Sequence, residues 1–229
     1  MGQLNGVHHI ALMTANVKEQ IEFFADVLGM QLKALYWMHN VDGYFHAFMA
    51  LNDSCSVAFV QSPQVKDIGH EFGVTHAGNP TAPCSAGVMQ HLAFNCDSDE
   101  ELYAMRDRIR AKGVRVLGPL DHGFCKSIYF GGPENLVLEV STSNGVGINE
   151  NAWIDPEVVA LNGISPEELE RYKNPPAFDH IGEPVAQPAA GTGRPEYQNM
   201  DPQFAAAFDL PDDVVTREMS ESTPPVKAA

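Results

Sequence analysis

Basic side chains are scarce in this sequence: 14 lysines and arginines stand against 30 aspartates and glutamates, a formal charge of −16. That balance repels polyanions, so nucleic acid and anionic membrane surfaces are excluded as partners, and the acidity serves solubility. Cysteine is also sparse, with four thiols (Cys55, Cys84, Cys96, Cys125) and no CxxC pair. This spacing fits neither a disulfide scaffold nor a cysteine-rich zinc module and suits a reducing compartment. No apolar run approaches the roughly 18 residues of a membrane span, and the start of the chain shows no basic segment ahead of a long apolar stretch. A cytoplasmic protein is expected.

What the sequence does contain is a duplication. Val7-His8-His9-Ile10-Ala11-Leu12 matches Met89-Gln90-His91-Leu92-Ala93-Phe94 about 80 residues later, and Cys55 to Val60 matches Asn135 to Val140. Each copy reads strand, helix, strand, strand, strand. In the first, Asn16 can cap a helix over Val17 to Leu28, with Ile21, Phe24, Val27 and Leu28 on one face and Gly29 as its stop. Strands follow over Gln31 to Met38, Tyr44 to Leu51 and Cys55 to Gln61. In the second, Ser98 caps a helix to Lys112, between a strand over Met89 to Cys96 and strands over Val114 to Gly118, Cys125 to Gly131 and Asn135 to Thr142. The expected fold is therefore α+β: paired βαβββ modules over 5–62 and 87–143, joined by a connecting loop at 63–86. An extended C-terminal arm follows at 144–229, with short helices opening at Pro156 and Pro166 and a Pro-rich remainder.

Strand alternation divides each strand into two faces. Val7, His9, Ala11 and Met13 oppose His8, Ile10 and Leu12; Met89, His91, Ala93 and Asn95 oppose Gln90, Leu92 and Phe94; Val137, Glu139 and Ser141 oppose Leu136, Leu138 and Val140. In each case one face is bulky and suited to packing on helices, and the other carries one ligand-type side chain. A lone strand histidine is ordinarily a satisfied core residue. Three ligand-type residues at related places in a repeated frame, one of them a glutamate in an apolar strand, point instead to a divalent cation held by His9, His91 and Glu139. Two imidazoles and a carboxylate suit Fe(II) with open positions; Mn(II) and Zn(II) also fit these ligand types.

The repeated unit, with His9-Ile10-Ala11-Leu12, His91-Leu92-Ala93-Phe94 and Pro133-Glu134-Asn135-Leu136-Val137-Leu138-Glu139, resembles the vicinal oxygen chelate superfamily. That group includes glyoxalases, fosfomycin-resistance proteins, methylmalonyl-CoA epimerase and type I extradiol ring-cleaving dioxygenases. The resemblance spans about residues 5 to 143. His122, then Ile128-Tyr129, Pro133 and Glu139, is similar to the extradiol signature, with Gly132 and Asn135 departing from it. The resemblance implies Fe(II)-dependent cleavage of a catechol-like substrate with O₂, with His122 and Tyr129 as catalytic groups beside the metal. Glyoxalases tend to have a fourth protein ligand where alignment of the copies places Phe59, so Phe59 there implies a three-ligand metal. Extradiol enzymes often carry an acid-base histidine where Cys55 stands, so that role falls to His39, His46, His70 or His76, or is absent. Trp37, His39, His46 and Phe59 are the expected substrate-binding residues. Two other readings stay open: a non-redox lyase, isomerase or hydrolase that polarises a carbonyl with Zn(II), Mn(II) or Ni(II), and a ligand-sequestering protein like the bleomycin-resistance members. The expected partners are a small-molecule substrate and O₂, and a homodimer is the default assembly.

Overall fold

The computed structural model describes residues 4–177, 182 and 184–227. Residues Leu4–Asn174 form one compact unit, and the chain from Pro175 on belongs to another. The first holds both modules. Strand β1 (His9–Met13), helix α1 (Val17–Asp26) and strands β2 (Gln31–Trp37), β3 (Phe45–Asn52) and β4 (Cys55–Gln61) make the first module. Strand β5 (Leu92–Asn95), helix α2 (Asp99–Ala111) and strands β6 (Val116–Asp121), β7 (Lys126–Gly131) and β8 (Val137–Thr142) make the second. The two sheets have equivalent orders, β1-β4-β3-β2 and β5-β8-β7-β6. In each, the first strand lies at an edge, parallel to the last, and the remaining pairs are antiparallel.

Both helices start where the sequence places them. The Asn16 side chain accepts from the Glu19 N–H, and Ser98 accepts from Glu101 N–H ahead of three acidic residues in the first turn of α2, which complement the positive end of the helix dipole. Each helix covers one face of its own sheet. The helix-facing residues of the two modules meet in one core that includes Phe24, Met49 and Phe59 from the first and Phe94, Leu102, Ile109, Ile128 and Leu138 from the second. The Phe24 ring touches Phe59 and Phe94 edge-on, at centroid distances of 4.9 and 6.3 Å. Burying each such side chain contributes roughly 1.5–3 kcal/mol. The helix-facing alternation expected for β1, β5 and β8 is the one observed, and in β7 Ile128 and Phe130 point inward and Tyr129 outward.

Polar ties lock the modules together. At the end of α1 the Arg108 guanidinium, from α2, donates to the carbonyls of Val27 (2.8 Å) and Asp26 (3.0 Å), occupying acceptors that the helix end leaves free. At the other end of the module boundary, the Glu134 carboxylate accepts from Ala15 N–H (2.7 Å) and from the Gln20 amide (2.8 Å). Glu134 reaches them from a left-handed backbone (φ 53°) in the turn between β7 and β8. Elsewhere along this boundary a cleft of about 420 Å³ lies between Met30, Ala50 and Leu51 of the first module and Asn95, Cys96 and Val140 of the second. These contacts define how β1 and β5 lie. Ala15, past the end of β1, sits by the turn that leads into β8 near the start of β5, while Ala50, level with the start of β1, faces the end of β5. The two edge strands run in opposite directions.

Three departures from the expected elements have physical causes. Strand β6 continues to Asp121 through Pro119, because it is an edge strand whose register shifts between Leu117 and Leu120, and an irregular edge tolerates a residue without an N–H. Strand β5 begins only at Leu92, so Met89 to His91 lead into it rather than belonging to it. After β8, three short helices, α3 (Glu150–Trp153), α4 (Pro156–Leu161) and α5 (Pro166–Lys173), belong to the same unit as the sheets, so the second unit begins at Pro175 and not at 144. Ser165 and Glu168 form a full capping box on α5.

The second unit contains more regular structure than its proline content suggests: helices α6 (Pro202–Ala207) and α7 (Asp212–Met219), with Asp201 capping α6. Tyr197, Phe204 and Phe208 pack their rings 5.7–6.1 Å apart, beside a cavity of about 630 Å³ lined also by Arg194 and Met200. No described helix is long and apolar enough to cross a membrane.

Glu134→Ala removes both acceptors at the module boundary while leaving the core untouched. Because charge-assisted hydrogen bonds are worth about 1.5–3 kcal/mol when buried and less at a half-exposed site, urea titration is expected to show a loss of about 1–2 kcal/mol.

Candidate metal and substrate site

Helices cover one side of each sheet and leave the other side open. Residues paired across neighbouring strands point the same way, so the open face can be read from the register. In the second module Glu139 pairs with Ala93 on one side and Tyr129 on the other, and Ser141 pairs with Asn95 and Ser127. These side chains and His91, just before β5, share the open face. Glu139 is 5% exposed, between the core residues Leu138 and Val140. An isolated carboxylate so placed would cost several kcal/mol, and here it is surrounded by polar groups. Its Oε2 lies 3.0 Å from His91 Nε2, and its Oε1 accepts from the Ser141 hydroxyl at 2.5 Å. Ser141 in turn bonds Ser127 at 2.9 Å.

The orientation of His91 is set by a residue the sequence reading passed over. Gln90 donates from its amide nitrogen to the carbonyls of Asn79 and Ala82, both at 3.2 Å, which turns its Oε1 onto His91 Nδ1. That oxygen can only accept, so Nδ1 carries a proton and Nε2 faces Glu139. A neutral imidazole nitrogen and a carboxylate oxygen 3.0 Å apart both offer lone pairs, and a proton or a cation between them resolves the repulsion. The separation matches neighbouring ligand positions on a six-coordinate divalent ion, which lie about 3 Å apart for bonds of about 2.1 Å. His91 and Glu139 thus fit two corners of such a site.

Tyr129 and His122 extend the group. The Tyr129 hydroxyl is 3.0 Å from His122 Nε2, and its ring lies 6.5 Å from that of His91. Burial pushes the phenol pKa up, opposed by a hydrogen bond with Ser127 and reinforced by the Glu139 charge. The hydroxyl stays protonated at neutral pH and available as a donor. The hairpin between β6 and β7 positions His122, whose N–H donates to the Cys125 carbonyl at 2.8 Å.

The first module's open face is built differently. His9, Phe48, His46 and Tyr36 lie on it by register, through the pairs His9 with Ser56, Ala58 with Phe48, Val60 with His46 and His46 with Tyr36. The His9 ring meets Phe48 at 5.5 Å, and its Nδ1 lies 2.9 Å from His8 Nδ1. The residue preceding each of His9 and His91 therefore contacts its Nδ1, through a ring nitrogen in the first module and an amide oxygen in the second. His46 stacks near Phe48 (4.4 Å), approaches the Tyr36 hydroxyl (3.4 Å) and keeps its Nε2 buried without a hydrogen-bond partner. Burial, followed by the nearby His9, lowers its pKa. His39 lies against Tyr36 at 5.5 Å.

The structure joins His91 with Glu139, Tyr129 and His122, and His9 with His46. It does not bring His9 to His91 and Glu139: among the described residues no group of three or more His, Cys, Asp or Glu side chains is arranged to hold a metal ion. Two expected substrate-binding residues are misplaced by the sequence reading. Phe59 is fully buried against Phe24 on the helix side, because the true register pairs Ala11 with Ala58 as Ala93 pairs with Glu139, and a one-residue slip reverses faces. Ala58, not Phe59, is the counterpart of Glu139. Trp37, next to Tyr36 in β2, points to the opposite face and packs on Phe45 at 4.4 Å. His8, expected to pack under the helix, is exposed beside His9. His70 and His76 pair with each other (5.7 Å) in the connecting segment, and Cys55 is half-buried at the start of β4. Strand alternation would have flagged Ser141, two residues beyond Glu139. No pattern in the sequence marks Gln90, whose role depends on carbonyls of the connecting loop.

The chain is similar to several solved structures. The solved glyoxylase/bleomycin resistance protein/dioxygenase domain from Frankia sp. EAN1pec is 16% identical, with a TM-score of 0.48 over 61% of this chain and 98% of that one. TnmS3, an antibiotic binding protein from Streptomyces sp. CB03234, is 17% identical (TM-score 0.44; 62% and 98% covered). The fosfomycin resistance protein FosX from Listeria monocytogenes is 19% identical (TM-score 0.42; 65% and 98% covered). No curated protein matches by sequence. Residues 6–140 match the family described as Glyoxalase/Bleomycin resistance protein/Dioxygenase superfamily, and by that match the chain belongs to it.

Proposed function

We propose that this protein is an Fe(II)-dependent extradiol-type dioxygenase that opens a catechol-like ring with O₂ in the cytoplasm. The observation that carries the reading is the connected run His122, Tyr129, Glu139 and His91, a proton-handling pair set directly against two metal-ligand types. His91 and Glu139 are the residues that would hold the cation, with His9 as the third ligand type on the other open face. Bound there, Fe(II) would supply chelation of two adjacent substrate oxygens and a route for electrons from the ring to O₂.

The chain's own residues prepare that chemistry. Gln90 fixes the His91 tautomer, and Ser141 anchors one Glu139 oxygen so that the other faces His91. The Tyr129 hydroxyl, held neutral by burial, is placed to donate a hydrogen bond to a substrate oxygen beside Glu139. His122, hydrogen-bonded to that hydroxyl, can accept or return a proton through it near neutral pH. On the first module's open face, His46 takes the proton-handling place that Cys55 leaves vacant. The small exposed side chains Ala11 and Ala93 present little bulk to a planar substrate lying over the sheets.

Anaerobic purification, metal quantification and an oxygen electrode with a panel of catechols test the proposal. Iron content with catechol-dependent oxygen uptake supports it. Bound cation without oxygen uptake points instead to carbonyl-polarising lyase, isomerase or hydrolase chemistry, and tight ligand binding with no cation to a sequestering protein. His122→Ala is expected to lower turnover by about 100-fold at unchanged iron content. Tyr129→Phe keeps the ring packing and is expected to reduce turnover about 10-fold, the scale of one lost hydrogen bond of about 1.4 kcal/mol.

A further inference from the structure

His122 lies beyond the paired part of its hairpin. Strands β6 and β7 pair as far as Asp121 with Lys126, and past that point the chain turns back through a tip made by Gly123 and Phe124. Two hydrogen bonds hold the backbone there: His122 N–H donates to the Cys125 carbonyl at 2.8 Å, and Gly123 N–H donates to the Asp121 carboxylate at 2.8 Å. Strand β6 is the edge of its sheet, so among the described residues no further strand flanks the tip. The reach from it to Tyr129 is long. His122 stands opposite Cys125, four residues before Tyr129 on β7, roughly 13 Å along the strand. The two side chains lean toward one another over that span, which brings Nε2 to 3.0 Å from the hydroxyl with ring centroids 6.1 Å apart. A hydrogen bond weakens steeply outside a narrow range of distance and angle, so a small tilt of the tip breaks this one.

Support for the tip comes from the segment after β8. That segment leaves from a fixed point: the Asn144 side-chain oxygen accepts from Asp99 N–H at 2.9 Å, its amide donates to the Asp99 carboxylate at 3.1 Å, and Lys126 of β7 pairs with the same carboxylate. The chain then enters α3, whose first residue, Glu150, pairs with Lys173 of α5 at 3.2 Å and whose last is Trp153. The indole lies so close to Gly123 that a Cβ there would be 2.7 Å from its Cζ2 and 2.8 Å from its Cη2. The Phe124 ring meets it edge-on at 4.9 Å. Gly123 is also left-handed (φ 87°), so one residue supplies both the turn and a flat seat for the indole. Between this segment and the hairpin a cavity of about 330 Å³ remains, lined by Asp121, Lys126, Thr142 and Asn149. The tip therefore rests on Trp153 and not on a continuous floor of side chains.

We infer that Trp153 is a positioning residue for His122: pressed against Gly123 and Phe124, its indole fixes the tilt of the hairpin tip and keeps the His122 imidazole on the Tyr129 hydroxyl. The consequence for turnover rests on the ring-cleavage reading above, whereas the contact is measurable without it. On this account the chain beyond the second module is part of the working site, reaching it through a hairpin that it never crosses.

Nitrogen-15 NMR of the His122 imidazole tests the contact, at one fixed pH and in protein kept free of paramagnetic metal. His122→Ala identifies the resonance, and Tyr129→Phe marks where it lies when its partner is lost. Trp153→Ala is expected to move the signal to the Tyr129→Phe position, and Trp153→Phe, which keeps a ring against Gly123, to restore most of the wild-type signal. Trp153→Ala is also expected to lower turnover about 10-fold at unchanged KM and iron content, and to add no further loss in a His122→Ala background. Circular dichroism checks that each variant keeps its sheets, and Trp153→Leu takes the place of Trp153→Ala if the latter unfolds. A folded variant without the indole whose His122 signal stays at the wild-type position overturns the inference. So does a turnover loss that adds in full to that of His122→Ala. If the wild type takes up no oxygen with any catechol, the ring-cleavage reading falls, and the NMR comparison still upholds or removes the support by Trp153.

Discussion

A buried carboxylate needs compensation, and the site in this protein is organised around supplying it to Glu139. The strand that carries it alternates between the helix-packed core and the open face, with Leu138 and Val140 inside the core on either side. Glu139 cannot move to solvent without pulling those neighbours out. One of its oxygens is satisfied where it stands by the Ser141 hydroxyl, the Tyr129 phenol lies beside it, and Oε2 faces the His91 imidazole, where a proton or a cation completes the pairing. Each of these is fixed by a further contact, through Ser127, His122 and Gln90. The result is a polar island on an otherwise packed sheet, rigid because leaving any member unpaired is costly.

Duplication explains both the symmetry of the scaffold and the asymmetry of its chemistry. The sheets share order, strand directions and the relation of helix to sheet, and in each copy the residue before the histidine engages its Nδ1. They differ at the position paired with the alanine two residues after that histidine, Ala58 in one copy and Glu139 in the other. A second carboxylate would have required its own set of donors. With alanine, the first sheet keeps an aromatic and imidazole surface of His9, Tyr36, His46 and Phe48, suited to packing against a flat ring or a facing sheet.

Much of this was readable from the sequence because period-two alternation is imposed by the backbone itself. It assigned the faces of His91, Glu139 and Ser141, and the capping residues placed both helices. What alternation cannot supply is register between strands distant in sequence. Aligning Phe59 with Glu139 by residue similarity was one position out, and in a sheet one position is a change of face. Contact between modules was equally hidden: Arg108 and Glu134 read as ordinary surface charges, yet they tie the two modules to one another. The helices α6, which opens at Pro202, and α7, which follows Pro211, are short and lie in a proline-rich stretch whose composition reads as linker.

The connection between the modules reads as a spacer, but two of its carbonyls, at Asn79 and Ala82, grip the amide that sets the proton position on His91. In the first copy no such grip is needed, since His8 faces His9 directly. The segment that joins the two copies thereby helps to set the proton position on a side chain of the second. Its length is no longer free to drift: an insertion ahead of residue 79 can be absorbed, whereas one between Ala82 and Gln90 would shift the grip and with it the lone pair that His91 turns toward Glu139.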